Sequence, residues 1–346
     1  MVSRTRRDTP RGRDARSESA AAGSDRPAHG GGLDAAVARY GGRREDWIDL
    51  STGVNRQGWP VPDLPPECWA ELPDSDGDVR LTSAARAAWG LPDDCEIVPV
   101  PGVSAVIPWL PTIADSREGV SPRSVTLTEP AYGEYAAAFR GRDWAFARNG
   151  DVQIVIHPNN PDGRLAVRSA VVAGHRHLTV LDESFCDTAP EQSLADLADR
   201  DGFVVLKGLG KFWGLAGLRL GFAACRSPLA DRLRRCLGPW PVSGPAQRVG
   251  AMALSDRNWA RMTRKRLQRD AARLDRILTV SGLRVVGGTR LFRLVRVENA
   301  ASVQAALARN RIWSRSFAEA DDRLRLGLPG TEREWERLET AIEGIA

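Results

Sequence analysis

Between residues 96 and 225 short apolar, β-branched runs recur: "EIVPVPG", "SVTLTEP", "DVQIVIHP", "LTVLDES", "GFVVLKG" and "LRLGFAAC". Helix-like stretches such as "EYAAAFRG" and "LAVRSAVVAGH" lie between several of them. Near-continuous apolar runs belong to strands buried on both faces, so this rhythm predicts a mainly parallel sheet with covering helices. In such sheets ligands collect where the strands end. After Pro239 the pattern changes. From Ala251 to Ser281, Trp259, Met262, Leu267, Ala271, Leu274 and Leu278 mostly recur at helical spacing and predict one long amphipathic helix. Strand-like "LFRLVRVEN", "IWSRSF" and "RLRLGLPG" follow, with a helix between the first two. A last helix opens with Thr331 and Glu334 at capping-box spacing and buries Trp335, Leu338 and Ile342.

The expected fold class is α/β: a mainly parallel large domain with helices on both faces, then a small α+β C-terminal domain. The expected divisions are a disordered tail over 1–27, an N-terminal arm over 28–65, the large domain over 66–238 and the small domain over 239–346. A chain of 346 residues exceeds the roughly 250–300 at which a single core stops growing.

Composition narrows the class. Hydrophobic residues make up 42% and charged residues 27% of the chain, as in soluble globular proteins. No run approaches the ~18 consecutive apolar residues of a membrane span. The net charge of +5 suggests an anionic partner, but much of it sits in residues 1–27, where seven arginines face four acids without one aromatic residue. That composition reads as a solvated tail, not a nucleic-acid site. The five cysteines are scattered without a C-x-x-C pair, which argues against a disulfide framework or zinc site and for a reducing, cytoplasmic compartment. His175 and His177, two apart, could pair on a metal, but the nearby carboxylates belong to another motif and the favoured reading is a solvent-exposed loop pair; no metal is expected.

Candidate chemistry starts in the glycine-rich stretch 206–222, which holds Lys211 and Arg219 eight residues apart. A lysine kept neutral can condense with an aldehyde, and pyridoxal phosphate is an aldehyde cofactor with further demands. Its pyridine nitrogen needs an anion. Asp182 ends the apolar run "VLDESF" and could meet such a cation, cap a helix or join a salt bridge. The ring hydroxyl needs a partner, and Asn160 is held extended before Pro161 in "HPNNPDG", which is also a common turn. The phosphate needs N–H groups and a cation: Gly102 and Ser104 lie where a strand passes into a helix, and Arg219 offers a bidentate contact. Tyr132 in "EPAYGEY" opens a helix and offers a ring to stack on the cofactor.

This ordered set resembles the fold type I pyridoxal-phosphate enzymes of the aspartate aminotransferase superfamily from residue 28 onward. Within it the chain is similar to the L-threonine-O-3-phosphate decarboxylases of cobalamin biosynthesis, relatives of the histidinol-phosphate aminotransferases. The segments "AHGGGLDAA", "IDLSTGVN", "LDESFCD" and "GPWPVSGPA" carry that likeness. The resemblance implies that Lys211 holds the cofactor's aldehyde, Asp182 pairs with the ring nitrogen, Asn160 meets the ring oxygen and Tyr132 stacks. Gly102, Val103, Ser104 and Arg219 would surround its phosphate. Arg325 would take the substrate carboxylate, a role that competes with an ordinary surface position on its strand, and Arg315, His29 and Gly30 the substrate phosphate.

Also implied are a homodimer, no nucleic-acid or membrane partner, and a phosphorylated amino acid as substrate. The implied reaction is decarboxylation of threonine phosphate. Transamination of histidinol phosphate and decarboxylation of serine phosphate are the alternatives. Against relatives, Gly208 stands in place of a serine, Phe185 and Leu72 in place of tyrosines, and Gly53 and His157 in place of asparagines.

Overall fold

The computed structural model describes residues 30–115 and 123–345; the expected tail over 1–27 and His29 lie outside them. In chain order the strands are β1 (Ile48–Asp49), β2 (Glu96–Val100), β3 (Ser124–Leu127), β4 (Ala145–Phe146), β5 (Val152–Ile156), β6 (Leu178–Asp182) and β7 (Phe203–Gly208). Then come β8 (Gly221–Cys225), β9 (Arg284–Thr289), β10 (Phe292–Arg296), β11 (Ile312–Trp313), β12 (Arg315–Phe317) and β13 (Ala320–Gly327).

The main sheet runs β2-β8-β7-β6-β5-β3-β4. Strands β4, β3, β5, β6 and β7 are parallel, while β8 is antiparallel to both its neighbours. Period-two alternation sorts its side chains into two cores. Leu181, Phe203, Val205 and Phe222 face one side with Leu81 and Ala85 of helix Ser75–Trp89 and Val249 of helix Gly244–Ser255. Val180, Val204, Leu206 and Ala223 face the other, with Tyr135 and Phe139 of helix Gly133–Arg140 and Leu229 of helix Ser227–Leu237. Each fully buried Leu or Phe contributes about 1.5–3 kcal/mol, so both faces must be covered, which is why the strands read as continuous apolar runs.

A second, antiparallel sheet runs β12-β13-β10-β9; helices Arg257–Val280 and Ala300–Arg309 pack on it, and helix Glu332–Glu343 packs on those two helices. Thr331 caps the last helix by accepting the Glu334 N–H at 3.3 Å, and Trp335, Leu338, Ala341 and Ile342 are buried.

Several expectations need correction. The single long helix is two, Gly244–Ser255 and Arg257–Val280, because the Asp256 carboxylate accepts the Trp259 N–H at 2.9 Å and caps a new start. Its buried stripe runs through Ala260, Thr263, Leu267, Ala271, Leu274 and Leu278, one position off Met262, which stays 58% exposed. The run "IWSRSF" is divided: Ile312–Trp313 pairs with β1, while Arg315–Phe317 pairs with β13. Strand β9, whose "RVVGGT" hides its pattern behind two glycines, was not expected. His175 and His177 are half-buried instead of solvent-exposed, and His175 stacks on Phe203 with centroids 4.6 Å apart.

Candidate active site

The C-terminal ends of β5, β6 and β7 converge on one place. Asp182 is the last residue of β6 and is 5% exposed. Its Oδ2 accepts the Tyr135 hydroxyl at 2.8 Å, and its Oδ1 accepts the Ser184 N–H at 2.9 Å and hydroxyl at 2.5 Å. An acid here is tolerable because these donors fix its direction. Burial and the adjoining Asp182 push the Tyr135 phenol well above its usual range, so it stays a donor.

Lys211 lies in the loop after β7, and its Nζ donates to the Thr52 carbonyl at 3.0 Å. Burial first, then the Arg325 guanidinium, lower its amine to about 8, against the opposite pull of Asp182 and Asp49. A tenth or so of such an amine is neutral near pH 7, enough for a nucleophile. Its Nζ stands 5.2 Å from the ring centre of Phe185, which meets Phe292 edge to face at 5.2 Å.

At the neighbouring strand end, Gly102 follows β2 in a left-handed conformation, φ 86°, and a Cβ there would come within 2.8 Å of an Arg219 nitrogen. Only glycine leaves that space open. Arg219 also has positive φ, 53°, and donates to Ser104 Oγ at 3.0 Å and the Ala216 carbonyl at 3.2 Å. Val103 lies between, so close to Gly221 that a Cβ on that glycine would stand 2.8 Å from the Val103 nitrogen. The result is a small cationic cup. Tyr132 sits just before helix Gly133–Arg140, tilted edge to face on Tyr135 at 6.3 Å. Burial, Glu134 and Asp182 push its phenol up to about 12.

Arg325, on β13, is 5% exposed. It donates to the Asn160 side-chain oxygen and, at 2.5 Å, to the Ser51 carbonyl, so it is turned inward and not a surface residue. Its Nε is buried with no hydrogen-bond partner among the described residues. Burial and then Arg315 lower its guanidinium to about 10. Arg315 stands directly opposite in the β12–β13 register. Gly30 packs so closely that a Cβ would meet the Ser51 oxygen at 2.5 Å, and Gly31 N–H donates to Ser51 Oγ at 2.6 Å. Of the residues singled out in the sequence, only His29 lies outside the described ones.

Tyr135, Thr52 and Ser51 were missed. Tyr135 had a signal, since two tyrosines three apart share a helix face; the other two act through backbone carbonyls, which no residue type announces. His157, Glu183 and Cys186 bring possible metal-ligand atoms within 4.8 Å, but protein partners already satisfy two of them. His157 Nδ1 accepts the Ala166 N–H at 3.0 Å, so its Nε2 is the protonated nitrogen, donating to Gln192 at 2.7 Å. Glu183 receives Lys207, Ser193 and Leu194.

A sequence profile of the Aminotransferase class I and II family matches residues 146–342, more than half of the chain. The chain belongs to the class I and II aminotransferase family. The threonine-phosphate decarboxylase of Pseudomonas aeruginosa is 37% identical over 334 residues, 92% of this chain and 97% of the relative. That of a Sinorhizobium species is 38% identical over 319 residues, 87% and 92% of the two chains. The histidinol-phosphate aminotransferase of Sinorhizobium meliloti, solved with pyridoxal-5'-phosphate, shares the fold with a TM-score of 0.73 at 19% identity, covering 91% of this chain and 95% of its own.

The family's cofactor is pyridoxal 5'-phosphate. This chain has the donor set to hold it: a cationic cup that a Cβ at Gly102 would fill, an oriented buried carboxylate at Asp182, and a partly neutral amine at Lys211.

Proposed function

We propose that the protein decarboxylates L-threonine O-3-phosphate to carbon dioxide and (R)-1-amino-2-propanol O-2-phosphate, the source of the aminopropanol linker of cobalamin. The carrying observation is the pair Arg315 and Arg325, opposed in register, with Arg325 beside Lys211. Two guanidinium groups on one face of the ladder suit a substrate that bears two anions, one for each. Threonine phosphate brings a carboxylate and a phosphate, and the relatives that match nearly the whole chain are named for it.

Bound pyridoxal phosphate supplies the electron sink for breaking a bond at Cα. In this reading Asp182, steered by Tyr135 and Ser184, holds the proton on the ring nitrogen. Tyr132 would stack on the ring, Asn160 would meet the ring oxygen, and Gly102, Val103, Ser104 and Arg219 would surround the cofactor phosphate. Arg325 takes the substrate carboxylate with its unpartnered Nε, while Arg315, Gly30 and His29 take the substrate phosphate. Phe185 and Phe292 keep water from the reacting carbon, and a poorly hydrated carboxylate loses carbon dioxide more readily. Lys211, whose amine would hold the cofactor's aldehyde, would also be placed to return a proton to Cα.

The same reading makes the chain a cytoplasmic homodimer. Trp69, Leu72 and Trp240 are 70%, 68% and 57% exposed, apolar side chains that a second copy would cover. The divisions at 28–65, 66–238 and 239–346 belong to the proposal, and limited proteolysis tests them. Among the described residues no helix is long and apolar enough to cross a membrane.

The decisive experiment incubates the purified protein with pyridoxal phosphate and O-phospho-L-threonine, with and without 2-oxoglutarate. Carbon dioxide and aminopropanol phosphate, formed regardless of the keto acid, are expected. Glutamate formed from histidinol phosphate without carbon dioxide would make it an aminotransferase, and faster turnover of O-phospho-L-serine would change the substrate.

A further inference from the structure

The loop carrying Lys211 is gripped by a segment far away in sequence. Asn55, 3% exposed, donates its backbone N–H to the Lys211 carbonyl at 3.0 Å and its side-chain Nδ2 to the Phe212 carbonyl at 2.9 Å. Trp59 N–H donates to the Trp213 carbonyl at 2.8 Å, and the Thr52 carbonyl receives the Lys211 amine itself. Both ends of Lys211, its backbone oxygen and its Nζ, are therefore held by residues 52–59.

The Asn55 amide has one allowed orientation. Its Oδ1 accepts from Arg266 at 2.7 Å and from Gln57 N–H at 3.1 Å. Flipping the amide would set an NH2 against two donors and a carbonyl against a carbonyl. Arg266 is itself aimed by Asp270 at 3.0 Å. Its helix, Arg257–Val280, packs on β9 and β10, and β10 pairs with the strand that carries Arg325. Asn55 thus joins the loop of the amine to the sheet of the arginine pair.

We infer that Asn55, backed by Arg266 and Asp270, is a positioning residue that fixes where the Lys211 amine stands relative to Thr52 and the arginine pair. This rests on the proposed use of Lys211 but not on the choice of substrate. The charged groups facing Lys211 are Arg325, Asp182, Asp49 and Arg219, and a looser loop would move the amine toward water and away from Arg325.

The test uses the full chain, stripped of cofactor and reloaded with pyridoxal phosphate, as wild type, Asn55→Ala and Arg266→Gln. The rate of cofactor capture, followed by absorbance from pH 6 to 10, reports the amine directly. Asn55→Ala should raise the capture midpoint by about half a pH unit or more through better hydration of the amine. It should also lower kcat with O-phospho-L-threonine about tenfold with KM within twofold, because the proton donor is displaced. Arg266→Gln should do the same to a smaller extent, and it carries the comparison if Asn55→Ala does not fold. An unchanged midpoint and kcat in both variants, or a lowered melting temperature with neither shift, overturns the inference. If even wild type leaves O-phospho-L-threonine untouched, the substrate reading fails while the capture midpoint still decides this one.

Discussion

Lys207 and Lys211 lie four residues apart on one strand and its following loop, and their surroundings drive them in opposite directions. Lys207, 2% exposed, meets Glu183 at 2.6 Å and Asp187 at 3.5 Å. Burial alone would depress its amine, but those carboxylates outweigh it and hold the amine well above the ordinary lysine range. Lys211 has a carbonyl and an aromatic face instead of a carboxylate partner, so burial and Arg325 win. The same division separates the adjacent acids Asp182 and Glu183, which the pleat sends to opposite faces of the sheet. Asp182 meets Tyr135 in one core, whereas Glu183 meets Lys207 beside Trp89 in the other. A charged group with its counter-ion inside the fold is a strut; one left waiting for a ligand is available for chemistry.

The sharpest way to break the comparison is Lys211→Ala. It should abolish capture of pyridoxal phosphate as a covalent adduct and lower kcat by at least about 10^3-fold through loss of nucleophile and proton donor, read by absorbance and product assay. The same variant reports on stability without cofactor. Because the folded-state pKa is depressed, the unfolded chain binds more protons between about pH 8 and 10.5; wild-type stability therefore rises with pH across that window. In Lys211→Ala that rise should disappear from denaturant midpoints.

Lys207→Met should instead unfold the protein more easily, by about 3–5 kcal/mol, since it leaves buried carboxylates unpaired. Adding Glu183→Gln should recover part of that loss in urea titrations. A Lys207→Met protein as stable as wild type would remove the strut from the comparison.

Arg325→Ala sharpens the electrostatics. Losing the cation that adds to burial should move the cofactor-capture midpoint above 8, toward 10.5, and weaken kcat/KM for a carboxylate substrate by about 10^2-fold. The smallest effect belongs to Tyr135→Phe. One hydrogen bond to Asp182 is lost while Ser184 remains, so activity should fall about tenfold, measured as kcat with saturating cofactor.

Much of this was legible in the sequence. The apolar runs of the main sheet, the strand end that carries Asp182, the turn that carries Asn160, the capped last helix and the order of the candidate site residues all follow from local spacing and residue chemistry. Period-two burial, helix caps and turn glycines act over a few residues, and those are what a sequence displays.

What only the tertiary structure decided depends on pairings between separate segments of the chain. Nothing local to residues 206–211 tells which lysine meets carboxylates and which meets carbonyls, because Glu183, Asp187, Thr52 and Arg325 arrive from other parts of the chain. The division of "IWSRSF" between two sheets and the grip of Asn55 on the Lys211 loop have the same origin. The ionisation of a buried group is set by whatever long-range packing places within a few ångströms of it, and residue type alone does not carry that information.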